Sequence, residues 1–231
     1  MYLYWDPTYI LVIIGAFICL MASLNVKATF SKYSRVYNRR GMTAQDAAQA
    51  ILAGAGIYDV RIEYVSGSLT DHYSPQEKVL RLSDSTYNQT SVAAIGVAAH
   101  ECGHAIQDYE GYAPLKLRSA AVPIANIGSS LSWPLIIIGI IFGIGGLARA
   151  GVFLFTFVVV FQLITLPVEF NASHRAMRIL RDNALLTDSE QDCARSVLTA
   201  AALTYVASLL SSILQLFRLI VLTQGNNRRR R

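Results

Sequence analysis

Charged residues are scarce in this chain: Asp, Glu, Lys and Arg make up 15% of its 231 residues against 53% hydrophobic, and the mean hydropathy is +0.39. Too little polar chain remains to cover an ordinary soluble core, so a membrane protein is expected. Cysteine is nearly absent. Cys19, Cys102 and Cys193 are scattered without CxxC spacing, which argues against a structural disulfide framework. No internal repeat is present. Basic residues are missing ahead of the first apolar run, where Asp6 stands, while Lys27, Lys32, Arg35, Arg39 and Arg40 follow it. A cleaved signal peptide has the reverse arrangement. The run is therefore expected to be an anchor with its N-terminus outside, with Tyr2, Tyr4, Trp5 and Tyr9 in an interfacial aromatic belt.

What the chain does have is four runs free of Asp, Glu, Lys and Arg: Pro7 to Val26, Ser119 to Ala148, Ala150 to Val168, and Ser196 to Phe217. Each is long enough for the roughly 20 apolar residues that carry a helix across a bilayer core. The expected organisation is a transmembrane helix at 7–26, a polar domain at 27–118, transmembrane helices at 119–148 and 150–168, a polar segment at 169–195, a spanning or re-entrant helix at 196–223, and a basic tail at 224–231. Gly145 to Arg149 reads as the hairpin connection, with Pro123 and Pro134 kinking the arm before it. Placing the N-terminus outside puts 14 of the 20 Lys and Arg residues on the cytoplasmic side, in line with the positive-inside bias. The tail Arg228 to Arg231 runs against that bias. It reads as a solvated run or a lipid-headgroup contact, and the net charge of +5 is no evidence for nucleic acid.

Within 27–118, Thr43 is a plausible N-cap for a helix from Ala44 to Ala53 that Gly54 and Gly56 end. Val60 to Val65 and Lys78 to Leu82 read as a pair of strands separated by the turn-rich Ser66 to Gln76. Ser91 to Gln107 is an Ala-rich helix, too short in its uncharged part to span, and is expected to be buried in this domain.

Two of the four histidines fall in one motif, His100-Glu101-Cys102-Gly103-His104. On a helix, residues four apart differ by only ~40° of rotation and one turn of rise, so both imidazoles reach a single metal ion. Glu101 sits one step away, beside the metal, where it can take a proton from a water that the metal activates. Cys102 points about 200° from His100 and is expected to pack. A catalytic zinc needs a third protein ligand and an open position. Glu169, at the end of the third apolar run, is the leading candidate because a carboxylate at the edge of a hydrocarbon segment is costly. Two crossings separate it from His104, which returns it to the same membrane face. Glu110 is the alternative ligand, and ordinary pairing of Glu169 with Arg175 or Arg178 is the plainer reading.

The motif helix, the hairpin, and the sequence Pro167-Val168-Glu169-Phe170-Asn171-Ala172-Ser173 together resemble the neutral zinc metallopeptidases of bacterial membranes, the YugP-like group. The likeness extends to Leu69-Thr70-Asp71-His72-Tyr73 and Lys78-Val79-Leu80-Arg81-Leu82-Ser83. More distantly the chain is similar to membrane gluzincins, whose third ligand is a Glu after the hairpin, followed four residues later by an Asp. Here Ser173 holds that position, and Asn171 or Ser173 would substitute a neutral hydrogen bond. The resemblance implies a mainly α integral membrane protein: about four transmembrane helices plus a small α+β zincin-like domain carrying the HExxH helix. It also implies a multi-pass zinc endopeptidase of the bacterial plasma membrane with one Zn²⁺ on His100, His104 and Glu169.

The expected chemistry is hydrolysis of peptide or membrane-protein substrates on the cytoplasmic side, with Glu101 as general base. A further donor should stabilise the oxyanion. His72 is favoured for it over Tyr73, His174 and Arg175. Lys78 to Leu82, if it is an edge strand, could bind an extended substrate by β-augmentation. Competing readings are an intramembrane protease with the motif in a spanning helix, and a membrane scaffold or assembly factor with a structural or degenerate metal site.

Overall fold

A long uncharged stretch in an apolar solvent satisfies its backbone by forming helix, and the computed structural model, which describes residues 7–228, is that of a mainly α membrane protein. The elements are α1 (Tyr9–Tyr33), α2 (Ala44–Gly54), β1 (Arg61–Val65), β2 (His72–Ser74), β3 (Val79–Ser83), α3 (Val92–Tyr109), α4 (Ala113–Ile141), α5 (Gly145–Asp182) and α6 (Asp188–Arg228). Among the described residues, α1, α4, α5 and the Asp188–Thr223 part of α6 are long and apolar enough to cross a membrane. The motif helix α3 is not among them. Tyr2, Tyr4, Trp5 and Asp6, and Arg229 to Arg231 of the tail, lie outside the described residues.

The chain divides into two units. The first takes the apolar parts of the four long helices: α1 as far as Ala22, Leu117–Leu166, and α6 from Thr204. Ile136, Val152, Phe155, Val159, Leu209 and Leu219 bury one another there, whereas Ile13, Phe17, Ile127, Phe153 and Leu163 face outward, as lipid-facing side chains do. Arg218, the charge within α6, lies 5.3 Å from the ring centroid of Tyr9. The hairpin connection is at Phe142–Ile144, not at Gly145 to Arg149, and Gly145 already begins α5. Gly143 makes the reversal at φ +67°. Gly139 approaches the backbone of Ala148 so closely that no Cβ would fit between them. Both residues must then lie in packed helix, and the turn falls between them.

The second unit joins Ser23–Lys116 to Pro167–Leu203. Thr43 caps α2 as expected: its side chain accepts from the Asp46 N–H, and the Asp46 carboxylate accepts from the Thr43 N–H, a reciprocal box. The two expected strands form, but as parallel neighbours, with Arg61 opposite Val79 and Val65 opposite Ser83. The stretch read as turn contains a third strand, β2, antiparallel to β3, giving the order β1-β3-β2. Strand β3 is thus central and not the edge expected for Lys78 to Leu82. Its Val79, Leu80 and Leu82 are fully buried, and Lys78, at φ +52°, belongs to the preceding turn.

Helix α3 starts where Ser91 accepts from the Ala94 N–H. It ends where Gly111 turns left-handed at φ +68° and the Tyr112 N–H reaches the Gln107 carbonyl, a common helix stop. It packs on α2, β2 and β3. Ile51, Leu52, Leu80, Leu82 and Ile95 form the core with Ala176 and Leu180 of α5 and Ala194 and Leu198 of α6. Helix α5 therefore runs 14 residues past Val168, the last residue of its uncharged run, before ending at Asp182.

Candidate metal centre

Two helices build the centre, and small residues let them meet. A Cβ on Gly103 would lie 2.6 Å from the Ala172 carbonyl oxygen of α5, so even one methyl group there would push the backbones apart. Cys102 faces the other way, as its helical position dictates. Its thiol is fully buried against α2, 3.7 Å from the Ala48 carbonyl, and burial pushes its pKa well above the ordinary thiol range.

On the α5-facing side, His100, His104 and Glu169 bring one ligand atom each to within 4.8 Å of one another. The two rings stand nearly perpendicular, 87° apart, with centroids separated by 4.8 Å. Glu169 Oε2 lies 3.3 Å from His100 Nε2 and 3.6 Å from His104 Nε2. The carboxylate thus faces the inner nitrogens of both rings. Ligands about 2.0–2.1 Å from a tetrahedral zinc are separated from each other by roughly 3.3 Å. The two separations from Glu169 are close to that value. Two imidazoles and one carboxylate are also a donor set that suits zinc and leaves a fourth position open.

The outer ring nitrogens support the same assignment. His104 Nδ1 lies 3.0 Å from Gln107 Oε1. The orientation of that amide follows from its other end, because Gln107 Nε2 donates to the Val168 carbonyl and to Asn171 Oδ1, both at 2.9 Å. Its oxygen therefore faces His104, which must donate from Nδ1 and present the Nε2 lone pair inward. His100 Nδ1 lies 3.1 Å from Ser173 Oγ, a hydroxyl able to accept its proton. Burial works against a charged His104, yet the carboxylates of Glu169 and Glu101 hold its pKa above the ordinary histidine value. Glu101, 8% exposed, sits between the two histidines in sequence on the same helix.

Of the alternatives raised by the sequence, Glu110 is engaged elsewhere, 2.6 Å from Arg175 Nη1. Arg178 donates to His174 Nε2 at 3.2 Å. Among the described residues, neither Arg175 nor Arg178 pairs with Glu169. Arg175 Nε instead donates to Asn171 Oδ1 at 2.7 Å and extends the Gln107 network. Tyr73 donates its hydroxyl to Asp108 at 2.9 Å. His72 lies on the edge strand β2, exposed, with Nδ1 2.9 Å from the Thr70 carbonyl. Among the described residues it shares no hydrogen bond with the three clustered groups.

Gln107 is the residue that sequence reasoning missed. Its signal was present: a polar side chain three residues after His104, on the same face of a helix whose other positions are mostly Ala, Val, Ile and Gly. We predict that Gln107→Leu, which keeps volume and helix propensity, weakens zinc binding by about 10–100-fold. Competition with a chromophoric chelator at fixed pH measures this; an unchanged affinity would remove Gln107 from the site.

No solved structure matches the chain. "Putative membrane protease YugP" of Bacillus subtilis (strain 168) is 44% identical over 201 residues, covering 87% of this chain and 89% of that protein. A family model described as "Putative neutral zinc metallopeptidase" matches residues 8–224. With the match running through α3 and α5 and so over every group of the candidate centre, the chain belongs to this neutral zinc metallopeptidase family.

Proposed function

We propose that this protein is a zinc metalloendopeptidase of the plasma membrane, with one zinc on His100, His104 and Glu169 and Glu101 as its general base. One observation carries the reading: two imidazoles and one buried carboxylate each bring a ligand atom into a single cluster, all within 4.8 Å of one another, a donor set that suits zinc. Zinc in such a site polarises the scissile carbonyl and acidifies the attacking water. Glu101 accepts the proton of that water and delivers it to the departing amine nitrogen. Gln107 keeps His104 in the tautomer that points Nε2 inward, and Ser173 holds the His100 ring in place.

Strand β2 is the sheet edge beside α3, to whose last turn Tyr73 ties it through Asp108. An extended peptide or membrane-protein segment added to this edge gains main-chain hydrogen bonds with little demand on sequence. His72 is then the proposed oxyanion donor. With Nδ1 committed to the Thr70 carbonyl, it donates from Nε2 only when protonated. The site faces the cytoplasm, a placement supported by the basic residues that flank the long helices on that side. Metal analysis of the purified full chain tests the proposal. One zinc per chain is expected, with cleavage lost on chelation and restored by zinc; a folded chain with no stoichiometric metal under replete conditions would reduce the protein to a scaffold.

A further inference from the structure

A second site lies outside the proposed metal centre. Between the Phe170–Arg181 part of α5 and the Arg195–Ala202 part of α6, both in the second unit, is a cavity of ≈ 270 Å³. Arg178, Arg181 and Arg195 all line it, and no Asp or Glu does. Among the described residues, neither Arg178 nor Arg195 forms an ion pair. Arg181 has only Asp182 at 3.5 Å, with both side chains more than half exposed, a pairing of little strength. Three guanidinium groups around one cavity repel one another unless an anion sits among them. Their planar forks are suited to a phosphate.

The remaining walls say what kind of anion. Phe170 and Ala202 line the end nearest the uncharged runs of the two helices, and Met177 and Leu198 extend the apolar wall, with the uncharged polar Ser173 and Thr199 and with His174 between them. The arginines stand two to three turns further along, about 11–16 Å at 1.5 Å per residue. The cavity therefore grades from apolar, where the same two helices become membrane-spanning, to cationic away from them. A soluble anion uses only one end of such a gradient, whereas a phospholipid uses both.

We propose that α5 and α6 bind one anionic phospholipid, with its phosphate among Arg178, Arg181 and Arg195 and its acyl chains leaving past Phe170 and Ala202. Ser173 lines the cavity and also contacts His100 Nδ1, so the lipid lies directly beside the proposed metal centre. Binding itself does not depend on peptidase activity.

The test uses the purified full chain in neutral detergent. Phosphatidylglycerol and phosphatidylcholine with the same acyl chains are titrated by native mass spectrometry, with inorganic phosphate and a peptide ending in Asp-Glu as competitors. One phosphatidylglycerol per chain is expected, in preference to phosphatidylcholine, and neither competitor should displace it at equal concentration. Arg178→Gln with Arg195→Gln should weaken it about fivefold for each arginine removed. Arg61→Gln with Arg149→Gln, two exposed arginines elsewhere, should leave it unchanged; an unaltered thermal melt reports that both variants fold. Equal loss in the two double variants would reduce the effect to net charge. Equal binding of both lipids would leave only an apolar groove, and displacement by phosphate would make the site a soluble-anion site. Displacement by the peptide would make it a substrate subsite. Each of these outcomes overturns the lipid assignment.

Discussion

Glu101→Gln is expected to leave one zinc per chain and to cut peptide cleavage by at least the ~10²–10⁴-fold that a positioned general base contributes. The amide matches the carboxylate in size, and it replaces a buried acid with a neutral group. Packing around α3 should therefore survive, while the proposed general base is lost. Comparing membrane-protein fragments between cells carrying the native chain and the variant reads the effect whichever protein is cleaved. Fragments that persist unchanged in the variant would take Glu101 out of the mechanism.

Glu169→Gln should have the larger effect on metal. Two neutral imidazoles remain, and a carboxamide is a poor replacement for an anionic ligand at a divalent ion. The loss of zinc affinity should exceed the ~100-fold upper range for removing an outer hydrogen bond. Because Glu169 is 2% exposed and the Gln side chain fills the same volume, the thermal melt of the metal-free protein separates metal loss from misfolding. Glu110→Gln supplies the contrast, since Glu110 is paired with Arg175 at 2.6 Å. Its zinc content should stay at one per chain. Zinc retained in the Glu169 variant and lost in the Glu110 variant would reassign the third ligand.

Much of this molecule could be read along the chain because the controlling physics is local or nearly so. Uncharged runs of about 20 residues become spanning helices in a solvent without hydrogen-bonding partners. Thr43 and Ser91 mark helix starts by the bonds their own side chains make to the next turn. Glu169 stood out as a candidate because a carboxylate at the edge of an apolar run is costly.

Other features depend on partners that arrive from distant sequence. Strand β2 is three residues long and carries no periodicity; it is a strand only because β3 lies beside it with Tyr73 opposite Leu80. A parallel β1–β3 pair is likewise invisible in two short apolar runs, which fit either direction equally well. The hairpin turn lies earlier than the Gly145-Gly146 pair suggests, since helix packing between Gly139 and Ala148 decided where the chain could reverse.

The sequence by itself determined that the chain spans a membrane by helices and that His100 and His104 share one helix face, because hydropathy and the 3.6-residue repeat act residue by residue. Only the tertiary structure decided that Glu169 completes the trio and that Gln107 and Ser173 orient the two rings. Those facts rest on how closely α3 approaches α5 where Gly103 meets Ala172. No local pattern encodes that distance, which the packing of both helices into one core sets.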